Sequence, residues 1–148
     1  MHPITASPAA TVFSWPIRVY WEDTDAGGIV FYANYLKYFE RARTEWLREL
    51  GLEQRELQQT TGCIFVVSEA SIKYLRPSRL DDRLLVTAQL CDMGRSSFTI
   101  RQEALLQEQA GKESNGLLCS GSVRIGWISQ QTMKPARIPT LIQEALNR

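Results

Sequence analysis

Histidine is almost missing from this chain: His2 is the single imidazole in 148 residues. A hydrolytic mechanism must therefore run without a histidine base. Cysteine is scarce too. Cys63, Cys91 and Cys119 are odd in number, far apart and form no C-x-x-C. With one histidine beside them, a zinc site is excluded, and reduced thiols are the expectation. Long apolar runs are absent. Met1 to Pro16 carries neither a cationic start nor a continuous apolar core, so we expect neither a signal peptide nor a membrane anchor, and a cytoplasmic protein. An excess of one charge is lacking as well. Net charge is +1, which gives no electrostatic reason to expect nucleic acid as a partner. Repeats and low-complexity linkers do not occur.

What is present is ordinary globular composition, with 44% hydrophobic and 22% charged residues. That balance, at this length, suits one domain with a real core. Residues 1–13, rich in Ala, Ser, Thr and Pro, read as a flexible lead-in to a single domain over 14–148. Ile17 to Glu22 alternates and reads as a strand, with Val19 and Trp21 on one face. Asn34 to Leu50 is the one long helix. Leu36, Phe39, Ala42, Trp46, Leu47 and Leu50 form its apolar stripe, Asn34 is its expected N-cap, and Gly51 its stop. A short helix follows over about Glu53 to Thr60.

Four runs with period two come next. Ile64, Val66, Ala70, Ile72 and Tyr74 mark the first, and Leu84, Val86, Ala88 and Leu90 the second. Phe98, Ile100, Ala104 and Leu106 mark the third, and Leu117, Cys119, Val123, Ile125 and Trp127 the fourth. The intervening turns fall at Arg76-Pro77-Ser78, Met93-Gly94-Arg95 and Ala110-Gly111-Lys112. Pro139 and Thr140 open a C-terminal helix. The fold class is α+β. One antiparallel sheet with one apolar face must cover it, and the long helix has the matching stripe. The sheet should wrap around that helix. An edge strand remains, and the run from Ile64 to Leu75 is the candidate to pair with its copy across a two-fold axis.

Chemistry concentrates where the first strand gives way to the long helix, at Asp23-Thr24-Asp25-Ala26-Gly27-Gly28. A helix start offers unpaired N–H groups and positive dipole. A carboxylate beside such groups can attack or hydrate a carbonyl and leave the oxyanion stabilised. Asp25 is that carboxylate, although alone it reads first as a helix-approach residue that satisfies N–H groups and is stabilised by the dipole. Asp23 reads as structural, and Gly27 and Gly28 as positions needing positive φ or close approach. Glu40 and Glu45 read as solvated or paired helix charges. Lys73, Arg76, Arg79, Arg95, Lys134 and Arg137 are candidate phosphate contacts, each also explicable as surface charge.

The run Val19-Tyr20-Trp21-Glu22-Asp23-Thr24-Asp25-Ala26-Gly27-Gly28-Ile29-Val30, with Tyr35, Phe39-Glu40-Arg41-Ala42-Arg43-Thr44-Glu45, Leu50-Gly51, Pro77-Ser78-Arg79-Leu80-Asp81-Asp82 and Met133-Lys134-Pro135, resembles the hot-dog-fold acyl-CoA thioesterases. The YbgC-type enzymes associated with the Tol-Pal system are similar, as are the 4-hydroxybenzoyl-CoA thioesterases. The resemblance spans nearly the whole chain after the first dozen residues. It implies a five-stranded antiparallel sheet around one central helix and hydrolysis of an acyl-CoA to free acid and coenzyme A. Asp25 is then nucleophile or general base. The backbone amide of Tyr32 polarises the thioester carbonyl, with Gly27, Gly28, Tyr35, Lys73, Arg76, Arg79 and Lys134 at the substrate. The resemblance further implies a homodimer or homotetramer, no cofactor beyond the coenzyme A of the substrate, no metal, and a link to Tol-Pal proteins. Tyr32 stands where YbgC-type members carry His, and the 4-hydroxybenzoyl-CoA thioesterases resemble this chain there in having Tyr. A hydratase on the same fold would need a site histidine. The non-enzymatic alternative is an acyl-CoA-binding protein or an envelope-associated scaffold.

Overall fold

The structure, a computed structural model, describes residues 11–109 and 116–148. Strand β1 (Phe13–Arg18) leads through a one-turn 3-10 helix (Trp21–Asp23) to α1 (Asn34–Glu49) and α2 (Gln54–Thr61). Strands β2 (Cys63–Tyr74), β3 (Arg83–Met93), β4 (Ser97–Leu106) and β5 (Leu117–Ser129) follow, and α3 (Thr140–Leu146) closes the chain. The sheet runs β1-β3-β4-β5-β2, with every pair antiparallel. The sheet begins at Phe13, inside the expected lead-in. The rest of that lead-in up to residue 10, and the expected turn at Ala110-Gly111-Lys112, lie outside the described residues.

Helix α1 lies on the apolar face of the sheet, as its stripe requires. Phe39, Ala42, Trp46 and Leu47 are buried, and so are Tyr35 and Tyr38, which the stripe did not include. Leu36 is 44% exposed. The helix ends as a Schellman turn. Gly51, at φ +84°, donates its N–H to the Arg48 carbonyl (2.9 Å), and Leu52 donates to Leu47 (2.7 Å). Both leucines are buried, which supplies the apolar contact that accompanies this motif. Against the sheet the helix comes close at Gly121. A Cβ there would strike the Ser71 carbonyl oxygen and lie 3.2 Å from the Phe39 ring, so only glycine fits.

Two local readings are corrected. Ile17 to Glu22 is not one strand. The strand ends at Arg18, and the chain then tightens, with the Asp23 N–H donating to the Tyr20 carbonyl and Thr24 to Trp21. Val19 is buried while Trp21 is 82% exposed, because a 3-10 turn separates faces that strand periodicity would join. Asn34 does not cap α1. Its amide Nδ2 donates 2.8 Å to the Asp23 carbonyl, and the N-cap position is Ala33, which offers no side-chain oxygen.

Strand β2 is an edge, as expected, but no residue in it is fully buried, and Val67 is 51% exposed. Its outer backbone has no strand beside it in the single chain. Among the described residues, no helix is long and apolar enough to cross a membrane.

Candidate active site

The motif at 23–28 folds into a small hairpin that rests against the start of α1. Thr24 bridges Val30, and the Asp25 N–H donates 2.9 Å to the Ile29 carbonyl. At the tip, the Gly28 N–H donates 3.0 Å to the Asp25 carbonyl, with Gly28 at φ +82°. An L side chain there would be strained. The Asp25 carboxylate folds back over the turn. Its Oδ1 accepts the Gly27 N–H at 2.8 Å and the Ile29 N–H at 3.4 Å. Its Oδ2 meets no donor among the described residues, and the residue is exposed. One oxygen is held and the other is free.

The base of the hairpin is tied to the helix. The Asp23 carbonyl accepts both the Phe31 N–H (2.9 Å) and the Asn34 amide (2.8 Å), while its carboxylate accepts the Tyr20 N–H (2.8 Å). Asp23 is buried and structural, as expected. Tyr38 lies beneath it, fully buried. Its hydroxyl neighbours the Asp23 carboxylate but meets no partner at hydrogen-bonding geometry. Burial first, then the adjacent Asp23 carboxylate, pushes that phenol far above its ordinary range, so it stays protonated.

The helix start is the second half of the site. Neither the Tyr32 N–H nor the Ala33 N–H has an acceptor among the described residues. The Tyr32 carbonyl does have a partner, the Tyr74 hydroxyl of β2, at 2.9 Å. The two rings meet edge to face at 5.9 Å, and Tyr74 also packs against Tyr35 at 5.8 Å. A short polar strut lies behind: the Tyr35 hydroxyl and Ser78 Oγ are 2.6 Å apart, and the Ser78 carbonyl accepts the Val30 N–H at 2.9 Å. Burial raises the Tyr35 and Tyr74 phenols, so both stay protonated.

The expected residues separate into groups. Asp25, Gly27 and Gly28 share one turn, and Arg79 joins it through the bridge between its own backbone and Ile29. Lys73 and Arg76 stand exposed at the Tyr74 end of β2. Tyr35 is buried in the core, so it supports the helix start and presents no surface to a ligand. Lys134 is elsewhere. Its carbonyl accepts the Ser129 N–H, and Ser129 pairs with Cys63 at the far end of β2. Ten residues of strand separate Cys63 from Lys73, roughly 30 Å. Within one chain Lys134 cannot share a ligand site with the other cations, because strand register, invisible in the sequence, sends it to the opposite end.

Tyr74 and Ser78 were missed as site residues. By residue type and spacing Tyr74 is one more apolar position in a strand and Ser78 a turn residue after proline, although both fall within the resemblance to the thioesterases. Among the described residues, no group of three or more His, Cys, Asp or Glu is placed to hold a metal ion.

Comparison with known proteins adds independent findings. The family described as the thioesterase-like superfamily matches residues 19–146. The acyl-CoA thioesterase YbgC of Haemophilus influenzae is 36% identical over 135 residues, covering 91% of this chain and 94% of its own. The acyl-CoA thioester hydrolase YbgC of Escherichia coli is 38% identical over 132 residues, covering 89% and 93%. Among solved structures, a 1,4-dihydroxy-2-naphthoyl-CoA thioesterase from Synechocystis superposes with a TM-score of 0.81 at 25% identity, covering 92% of this chain and 96% of the other. With the motif, the helix-on-sheet architecture and these matches all extending over most of its length, the chain belongs to the thioesterase-like superfamily and has its hot-dog fold.

Proposed function

We propose that this chain is an acyl-CoA thioesterase, releasing a free acid and coenzyme A, with Asp25 as its catalytic carboxylate. The observation that carries the reading is one short hairpin joining two functions. Its tip holds a carboxylate with one oxygen fixed and one free, and its base leads into a helix start with two N–H groups lacking acceptors. The relatives from Haemophilus influenzae and Escherichia coli, named for acyl-CoA hydrolysis, support the substrate class.

The thioester oxygen accepts hydrogen bonds from the Tyr32 and Ala33 N–H groups, and charge grows on it as the carbonyl is attacked. Each such donor is worth about 2.7–4 kcal/mol in the transition state. Asp25 acts in one of two ways. In the first, Oδ2 bonds to the carbonyl carbon, the C–S bond breaks, coenzyme A leaves as thiolate, and water hydrolyses the mixed anhydride. In the second, Oδ2 takes a proton from water, whose oxygen attacks instead.

We take residues 14–148 as one catalytic domain working as a homodimer or homotetramer in the cytoplasm, with no cofactor of its own. Antiparallel pairing of β2 with its copy would set each Cys63 end beside the other's Tyr74 end. The partner's Lys134 would then return to Lys73 and Arg76, completing a cationic track for the coenzyme A phosphates. A link to Tol-Pal proteins rests on resemblance alone.

Asp25→Asn should fold normally and lose roughly a thousandfold in turnover, about 4 kcal/mol. Thiol release by that variant within tenfold of the parent, across short, long and aromatic acyl-CoAs, would remove Asp25 from the mechanism. Ligand binding without turnover in the parent would favour a binding protein. Single turnover in labelled water separates the roles, since label enters the Asp25 side chain only if it attacks.

A further inference from the structure

Further along α1 lies a cavity of about 200 Å³, set between the second half of the helix and the corner formed by β2, β4 and β5. Phe65, Val67, Phe98 and Ile100 make its apolar wall, and Glu40 and Thr44 its rim. The wall is braced. The Phe65 ring meets Phe98 edge to face at 5.7 Å and leans on Trp127 at 4.7 Å.

The polar groups at the rim are already matched with each other or with neighbours. Glu40 Oε2 accepts the Thr44 hydroxyl at 2.5 Å, and the Arg43 guanidinium, which also lines the cavity, donates 3.0 Å to Gln102 Oε1. The wall itself is apolar, so occupancy of the cavity is rewarded by apolar contact. Ala33, Leu36, Glu40 and Thr44 fall three to four residues apart and form one stripe. Leu36, exposed on that stripe, therefore sits between the free N–H groups of the helix start and the cavity mouth.

We propose that this stripe and cavity receive the acyl chain of the substrate, and that the chain is an unsubstituted aliphatic one of about ten carbons or more. The inference rests on the thioesterase reading above and adds the acyl class to it. Glu40 is eight residues beyond Tyr32, about 12 Å along a helix rising 1.5 Å per residue. A zigzag hydrocarbon built from 1.5 Å bonds advances about 1.3 Å per carbon, so roughly nine carbons reach the mouth. The cavity then has room for about six more groups of water's volume. A butanoyl or benzoyl group ends well short of it. Burial of each further methylene is worth about fourfold in transition-state binding.

The test is thiol-release kinetics of the full chain on butanoyl-, decanoyl-, tetradecanoyl- and benzoyl-CoA below their micellar concentrations. We expect kcat/KM for tetradecanoyl-CoA to exceed that for butanoyl- and benzoyl-CoA at least tenfold. Val67→Phe, which fills the cavity from the β2 side, and Thr44→Met, which covers its mouth from the helix surface, should each cut the tetradecanoyl-to-butanoyl ratio at least tenfold. A parent that prefers butanoyl- or benzoyl-CoA overturns the inference and leaves the thioesterase intact. So does a long-chain preference that neither folded variant alters. Failure to turn over any of the four would strike the thioesterase reading itself.

Discussion

Replacement of Gln102 by leucine should cost about 2–4 kcal/mol of stability, although the two side chains are close in volume. Gln102 is 0% exposed and lies on the core face of β4, in line with Phe98, Ile100 and Ala104. Its Nε2 donates to the Phe39 carbonyl of α1 and to the Thr87 carbonyl of β3, both at 3.0 Å, and its Oε1 accepts Arg43 Nη1 at 3.0 Å. One amide thus ties the helix to two strands. Loss of the two neutral bonds costs about 0.5–1.5 kcal/mol each, and the bond to a charged donor about 1.5–3. Leucine recovers some 1–2 kcal/mol by burial. The Arg43 guanidinium remains, partly desolvated, and burial already lowers its pKa. Urea unfolding with an unchanged m-value should show the loss, and melting should fall by about 4–16 °C at 2–4 °C per kcal/mol for a domain of this size. A double-mutant cycle with Arg43→Met should return at least about 1 kcal/mol of coupling. A loss below about 0.5 kcal/mol, or no coupling, would refute the claim that this amide pins α1 to the sheet.

Gly51→Ala forces a side chain onto φ +84° and should destabilise the chain by about 1 kcal/mol in the same unfolding assay, without altering turnover. Tyr74→Phe removes the hydroxyl held by the Tyr32 carbonyl. It should cost about 1 kcal/mol of stability and lower kcat several-fold with little change in KM, since the Tyr32–Ala33 peptide that it orients is the proposed oxyanion donor. Alkaline stability should fall through the thiol of Cys119, which burial pushes up to about 12 from 9.0. Below pH 9 both states hold the proton and stability is intact. Between 9 and 12 the unfolded thiol ionises first, so stability declines by about 1.4 kcal/mol per pH unit from this group. Cys119→Ala should flatten that slope in unfolding measured from pH 8.5 to 11.

The long elements were legible because one physical rule governs each. A helix against a sheet shows a 3.6-residue stripe, and a strand covered on one face shows alternation; α1 and β3 to β5 obey, whereas in β2 a bulge between Val67 and Glu69 sets Ile64 and Val66 on the opposite face from Ala70, Ile72 and Tyr74. Departures came where a side chain serves a different partner from the one its position suggests. Asn34 has the chemistry of an N-cap but spends its amide on Asp23. Gln102 interrupts the apolar run of β4, and its reason shows only in the fold, where two residues of α1 and one of β3 surround its amide. Val19 and Trp21 alternate like strand residues because a 3-10 turn can produce the same spacing over so few positions. For the proposed site, the carboxylate and the helix start could be read together because both lie in one continuous stretch. The cations could not be grouped, because the distance between Lys73 and Lys134 depends on strand pairing rather than sequence separation.

The scarcity of histidine, set against this site, narrows the reaction. Hydrolysis of an amide needs a proton delivered to a strongly basic leaving nitrogen, and a lone carboxylate with two N–H groups offers no acid for it. A thioester releases a thiolate whose conjugate acid has a pKa near 8.5, so it departs at neutral pH without help. What remains is to supply one nucleophilic oxygen and to stabilise one oxyanion. In the proposed mechanism Asp25 Oδ2 and the N–H groups of Tyr32 and Ala33 take those two tasks. Even the phenols around them, Tyr35, Tyr38 and Tyr74, are raised further by burial and stay protonated. A site so equipped is matched to an activated acyl group with a soft leaving group, which is why a chain almost without imidazole can still be a hydrolase.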